Sequence, residues 1–137
     1  FHGLEEQALL EMGDFAGALL KYIRRHPIAR LTIAGGFAKI SKLAQGHMDL
    51  HSGRSDVDVG ALAGYLSELG AAPEIVSRAR TTVSAGAVLT LAEELPLAER
   101  VAEEALSVIP DRLGDADIAV DVANFDRSGK LIGHAQP

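Results

Sequence analysis

The chain has 137 residues, 47% of them apolar and 23% charged, which suits one globular domain and argues against disorder. Its net charge of −6, with basic residues scattered apart from Arg24-Arg25-His26, argues against a nucleic-acid partner, which needs positive charge concentrated on one face. The absence of cysteine excludes disulfides, thiolate metal sites and a cysteine nucleophile, and suits a reducing, cytoplasmic setting.

The chain opens on Phe1 rather than Met, and a helical pattern begins almost at once, so a longer polypeptide with a missing N-terminal domain is expected. Between Glu5 and Arg25, Leu9, Met12, Ala16, Leu19, Leu20 and Ile23 fall on one helix face. Arg24 and Arg25 complement the dipole at its end, and Pro27 stops it. Gly13 and Gly17 lie inside this helix, where each costs about 1 kcal/mol relative to alanine, so close packing against a sheet or contact with a ligand should compensate.

Residues Ala29–Ala34 read as a buried parallel strand closed by Gly35 and Gly36. A helix should then run from Phe37 to about Met48, with Ile40, Leu43 and Ala44 inward and Lys39 and Lys42 outward. Asp49–Ser55 reads as a loop, and Ser55 or Asp56 can cap the next helix, which carries Val59, Leu62, Leu66 and Leu69 and ends at Gly70. Further helices are predicted from Pro73 to Leu95, with a break near Ser84–Gly86, and from Pro96 to Ile109. The alternation in Asp117–Phe125, the turn Asp126–Gly129 and the run Lys130–Ala135 predict a C-terminal β-hairpin. The pattern is α/β: a single domain over 1–137 with a Rossmann-like open sheet and flanking helices. Three strands make a thin sheet, so more are expected before Phe1. No apolar stretch reaches the roughly 18 residues that a spanning helix needs, and no signal peptide is visible. The Leu- and Ala-rich helices could pack internally or pair across a homo-oligomer.

The ionisable groups gather at the ends of the second helix. Unpaired amides at a helix N-terminus attract carboxylate or phosphate, so Gly35-Gly36 resembles an anion cradle as well as a plain tight turn. It is neither a P-loop nor a full dinucleotide fingerprint. His47, Asp49 and His51 converge within five residues, and two histidines four apart on a helix could share a metal ion; hydrogen bonding to loop carbonyls is the structural alternative. Asp14, Ser41, Asp56 and Asp58 complete the polar inventory, with Asp56 and Asp58 as cap and solvated surface. Ser84 and His134 show no Ser-His-acid arrangement in the sequence.

Five blocks carry a resemblance: Glu11-Met-Gly-Asp-Phe-Ala-Gly17, Tyr22-Ile-Arg-Arg-His-Pro27, Leu31-Thr-Ile-Ala-Gly-Gly36, Lys39-Ile-Ser-Lys-Leu-Ala44 and Gly46-His-Met-Asp-Leu-His-Ser52. Together they resemble the C-terminal part of the CbiD family, the cobalt-precorrin-5B C1-methyltransferases. The resemblance implies a transferase of anaerobic cobalamin biosynthesis that moves a methyl group from S-adenosyl-L-methionine to C1 of a cobalt-precorrin substrate. It also implies a two-domain enzyme of which this is the C-terminal portion, inactive alone if the other domain is needed. In that reading Gly35, Gly36 and Lys39 face the cofactor, cationic groups such as Lys39, Lys42 and Arg54 bind substrate carboxylates, Ser52 lines the corrinoid side with His47 and His51, and the two histidines act catalytically by donating hydrogen bonds or shuttling a proton. A non-catalytic α/β ligand-binding or interaction domain, and a small metal-binding module built on His47, Asp49 and His51, are the alternatives.

Overall fold

The computed structural model describes Gly3, Glu5 and residues 15–51 and 56–137. Among these residues it is mixed α/β, with six helices and one three-stranded sheet. The order along the chain is α1 (Ala16–Arg25), β1 (Arg30–Gly36), α2 (Phe37–Ala44), α3 (Val59–Glu68), α4 (Pro73–Arg80), α5 (Ala85–Ala92), α6 (Leu97–Leu113), β2 (Ala119–Phe125) and β3 (Leu131–Ala135).

Strand β2 is central: β1 pairs with it in parallel, with Thr32 opposite Asp121, and β3 pairs antiparallel, with His134 opposite Ala123. The hairpin forms as expected, because the Asp126 carboxylate accepts from the amides of Ser128 (2.8 Å) and Lys130 (3.0 Å) and closes the turn. Helix α2 packs on β1 and β2, and α6 on β2 and β3. They cover the face that carries Leu31, Ile33, Val120 and Val122, all in the hydrophobic core. Among the described residues no helix packs on the opposite face, where alternation places Arg30, Thr32, Ala34, Asp121, Ala123 and His134. Arg30 and Ala34 are exposed there.

Burial explains where elements end. Helix α6 continues past Ile109 through Pro110, because Ile109 and Leu113, four apart, both enter the core and offset the lost amide donor. The predicted long segment breaks into α4 and α5. The Thr81 and Thr82 hydroxyls donate back to the carbonyls of Arg78 and Ala79, and Ser84 caps α5 by accepting from the Ala87 amide at 3.1 Å. The cap of α3 is Asp58, accepting from the Ala61 amide at 3.2 Å, rather than Ser55 or Asp56. Arg100 of α6 ties back to α3: its guanidinium donates to Glu68 and Glu104 and lies 4.5 Å over the Tyr65 ring.

Helix α1 buries Ala16, Leu20 and Ile23 and ends with Arg24 and Arg25 in its last turn. Glu5 is not helical, and the stretch with Leu9, Met12, Gly13 and Asp14 lies outside the described residues. Gly17 packs not on the sheet but on the segment after α2: a β-carbon there would come 2.8 Å from that of Met48, and its amide donates to the Met48 carbonyl at 3.1 Å.

Candidate functional site

Strand β1 delivers the chain to the sheet edge, and Gly36 is the N-cap of α2. Its φ of −73° and ψ of 158° are open to any residue, and a β-carbon there would meet nothing within 4 Å. Among the described residues no side chain caps the helix, and the first-turn amides of α2 have no acceptor within the helix. Gly35 differs, since its β-carbon would press on the Ile40 side chain at 3.3 Å, which makes it a packing position. Lys39 is exposed in the first turn of α2.

Helix α2 ends at Ala44, one turn before the predicted limit. Gly46 takes φ +87°, its amide donates to Leu43 at 3.0 Å, and the His47 amide donates to Lys42 at 3.0 Å, a Schellman closure. His47 and His51 therefore do not share a helix face, and the geometric argument for a metal pair fails. Among the described residues no group of three histidine, aspartate or glutamate side chains could hold a metal ion.

Lys42 corrects a second expectation. It points inward rather than outward, only 7% exposed, and its ammonium donates to the Leu50 carbonyl at 3.2 Å. The long apolar stem lets a lysine lie under the loop that follows its own helix. Lys42 thus ties down the residue before His51, and the His51 amide donates to the Asp49 carboxylate at 3.1 Å. At the far end of the loop, the Gln45 side-chain amide donates to the Asp58 carbonyl (3.0 Å) and accepts from the Asp58 amide (2.7 Å). The segment bearing His47 and His51 is therefore held at both ends, with His47 half-buried and His51 exposed. Ser52 and Arg54 lie outside the described residues. The structure thus separates the sequence-predicted groups to the two ends of α2: Gly35, Gly36 and Lys39 at its start, and Lys42, His47 and His51 at or beyond its end.

One constellation was not evident in the sequence. Asp121, in the middle of β2, is 1% exposed, yet its carboxylate accepts from the Thr32 hydroxyl at 2.6 Å on one oxygen and meets His134 Nε2 at 2.7 Å on the other. Arg30 Nε lies 3.8 Å from the first oxygen. A buried carboxylate is costly unless it is paired, and here both neighbouring strands supply partners. Two signals pointed to it: an aspartate flanked by valines in an alternating strand, and a histidine set close to it by the hairpin register.

Among known protein families, the model described as CbiD, C-terminal domain, matches residues 49–136. The chain belongs to the CbiD family. Relatives of the CbiD chain named cobalt-precorrin-5B C(1)-methyltransferase include one from Paramagnetospirillum magneticum, 50% identical over 133 residues that make up 97% of this chain and 37% of the relative. Those of Rhodospirillum rubrum and Methylorubrum extorquens are 53% and 52% identical, each over 96% of this chain and 37% of the relative. The chain thus spans about 37% of the length of these CbiD relatives. No solved structure matches it. Among the described residues, no helix is long and apolar enough to cross a membrane.

Proposed function

We propose that this chain is the C-terminal part of a cobalt-precorrin-5B C1-methyltransferase, acting with the remaining domain of that enzyme in cobalamin biosynthesis. The observation that carries the reading is the identity of about one half, across nearly the whole chain, to proteins of that name. The methyl donor in this reading is S-adenosyl-L-methionine, whose sulfonium supplies an electrophilic methyl group when bound. The uncapped start of α2 fits such a group: its amides can donate to a carboxylate or to ribose hydroxyl oxygens, and the missing β-carbon of Gly36 leaves room for close approach. Lys39 adds positive charge in the same turn.

Methyl transfer from a sulfonium is an in-line displacement, so alignment of donor and acceptor supplies most of the rate. His47 and His51, on a loop held by Lys42 and Gln45, are the groups assigned to the corrinoid side. Ser52 and Arg54 follow them in sequence, Ser52 assigned with them to the corrinoid side and Arg54 to substrate carboxylates, whereas Lys42 acts through the loop it anchors. A Rossmann-like sheet completed by the rest of the enzyme belongs to the same reading.

The test uses the Rhodospirillum rubrum relative with its matching stretch replaced by this chain. Incubated anaerobically with S-adenosylmethionine and cobalt-precorrin-5B, the chimera is expected to give the C1-methylated product. A Gly36→Val change is expected to fold normally and to weaken binding of S-adenosylhomocysteine at least tenfold by calorimetry. Unchanged binding removes the α2 start from the site, and an inactive chimera beside an active parent rejects the methyltransferase reading of this chain.

A further inference from the structure

We propose that the outer face of α1, centred on Tyr22, is the surface against which the part of the CbiD polypeptide outside these 137 residues docks. The proposal rests on the reading of the chain as part of a longer enzyme and deepens it by naming the contact. It starts from charge. Residues 15–48 contain six of the chain's 13 lysines and arginines, Lys21, Arg24, Arg25, Arg30, Lys39 and Lys42, and no aspartate or glutamate, although the whole chain carries a net charge of −6. Three of the six serve the fold. Lys42 donates to the Leu50 carbonyl, Arg30 lies 3.8 Å from Asp121, and Arg24 folds across Gly114 at the end of α6, where an added β-carbon would come 2.9 Å from its Nε. Lys21 and Arg25 are exposed and, among the described residues, have no ion-pair partner.

The apolar groups gather on the same helix. Among the described residues five large hydrophobic side chains are exposed, and three of them, Phe15 (54%), Tyr22 (60%) and Ile28 (41%), stand at the N-cap of α1, within it and just past its end. Helix α1 buries Ala16, Leu20 and Ile23, so helical spacing puts Ala18, Lys21, Tyr22 and Arg25 on the opposite side, with Phe15 seven residues before Tyr22. All five of these outward residues are exposed. Single exposed apolar side chains are ordinary, but a stripe with two aromatics and an arginine has the composition of an interface core.

Tyr22 is also held in place before anything binds. Its ring stacks on His26 with centroids 4.3 Å apart and planes 22° apart. The His26 amide donates to the Tyr22 carbonyl at 3.0 Å, with the ring Nδ1 3.1 Å from the same oxygen. A ring already fixed loses little rotamer freedom on docking, which favours it as an anchor.

The occupant follows from length and symmetry. This chain spans about 37% of its relatives, and the match to the CbiD C-terminal domain begins at residue 49. Helix α1 therefore stands before that domain, in a stretch that the relatives share and that joins the domain to the remainder of the enzyme. A second copy of this chain suits the face less well. Two-fold pairing would set Lys21 and Arg25 against their own equivalents, and like charges across an interface are costly, whereas head-to-tail pairing leaves open ends unless it closes into a ring. The matching surface on the remainder of the polypeptide is apolar at its centre and acidic at its rim.

The test uses the same chimera, read without substrate. With p-benzoylphenylalanine in place of Tyr22, an aromatic ring is kept at the anchor. Irradiation and digestion are expected to give a crosslink, within one polypeptide, to a peptide from the relative's own part. The same probe at Val83, 98% exposed on the α4–α5 turn, should give roughly one-tenth of that yield or less. Arg25→Glu should lower the Tyr22 yield about fivefold or more. In the unsubstituted chimera, acetylation of Lys21 should run about fivefold or more slower than that of the exposed Lys130. A Tyr22 crosslink to a second polypeptide, no crosslink to the relative's part, or a Lys21 as reactive as Lys130 overturns the proposal. Neither readout needs turnover. An inactive chimera that shows both loses the methyltransferase reading and keeps the docking face, whereas an active chimera that shows neither loses the docking face alone.

Discussion

Replacing Gly133 by alanine tests how tightly helix α6 is seated on the sheet. A β-carbon at Gly133 would lie 2.5 Å from the Ala98 carbonyl carbon and oxygen and 2.6 Å from the Glu99 nitrogen, all backbone atoms that no rotamer change can move. Gly133 is not among the positive-φ residues, so the effect is one of space rather than of backbone conformation. Ordinary contact begins at 3.4 Å, so the first turn of α6 must retreat by roughly 0.9 Å. That retreat strains the hydrogen bond from the Asn124 side-chain amide to the Ala98 carbonyl, now 3.2 Å, in a place where neither group can find water. Among the described residues Asn124 Oδ1 already has no partner, so the site has no spare hydrogen bonding there. Overpacking costs about 1–3 kcal/mol and a weakened buried hydrogen bond about 1 kcal/mol, against a gain of about 0.5 kcal/mol from a stiffer unfolded chain. The expected net loss is about 3 kcal/mol, a fall in thermal midpoint of roughly 10 °C for a domain of this size. Urea denaturation followed by circular dichroism measures it, with Gly36→Ala as a control expected within about 0.5 kcal/mol of the parent. A Gly133→Ala loss below 0.5 kcal/mol would refute the account of how α6 meets β3.

Glu93, at the C-terminal end of α5, holds φ 50° and ψ −115°, a combination natural only to glycine. Glu93→Gly is expected to raise stability by about 1 kcal/mol, since relieved strain outweighs glycine's added entropy in the unfolded chain; a loss of stability in the same denaturation assay would contradict it. Donation from Ser128 and Lys130 holds the Asp126 carboxyl below its ordinary 3.8. The sign follows: the ionised group favours the fold above its unfolded value, and that contribution disappears as pH falls through the lower folded value. The stability difference between the parent and Asp126→Asn should therefore be constant above about pH 5 and shift against the parent below about pH 4. A difference that stays flat down to pH 2 in acid titrations would show that the turn carboxylate is not used.

Much of this architecture was legible because local chemistry and tertiary packing agree. The strand before Gly35, the hairpin around Asp126–Gly129 and the helix from Val59 form where their patterns place them. The failures have specific physical causes. Gly46 in a left-handed conformation ends α2 before His47, and a single glycine in an amphipathic run does not announce that. Lys42 reads as solvent-facing by charge, yet its stem lies inside and its head reaches the Leu50 carbonyl, a partner that only the folded loop supplies. Pro110 reads as a stop, but burial of Leu113 continues the helix beyond it. At the candidate site, the clustering at the ends of α2 was visible in the sequence. The Asp121–His134 contact depends on strand order and register, which periodicity does not contain.

The pairing of β1 with β2 has a consequence for synthesis. Thr32 and Asp121 are neighbours across the sheet but 89 residues apart in the chain. At a translation rate of about 5–20 residues per second, β1 leaves the ribosome roughly 5–20 s before the strand that must receive it. The β2–β3 hairpin, by contrast, closes within microseconds of emerging. Nascent β1 must therefore wait with its apolar face, Leu31 and Ile33, covered only by the helices already made. Chains halted before Ala119 would carry the residues of α1 to α6 but not the partner strand of β1, so the last 19 of these 137 residues complete this sheet.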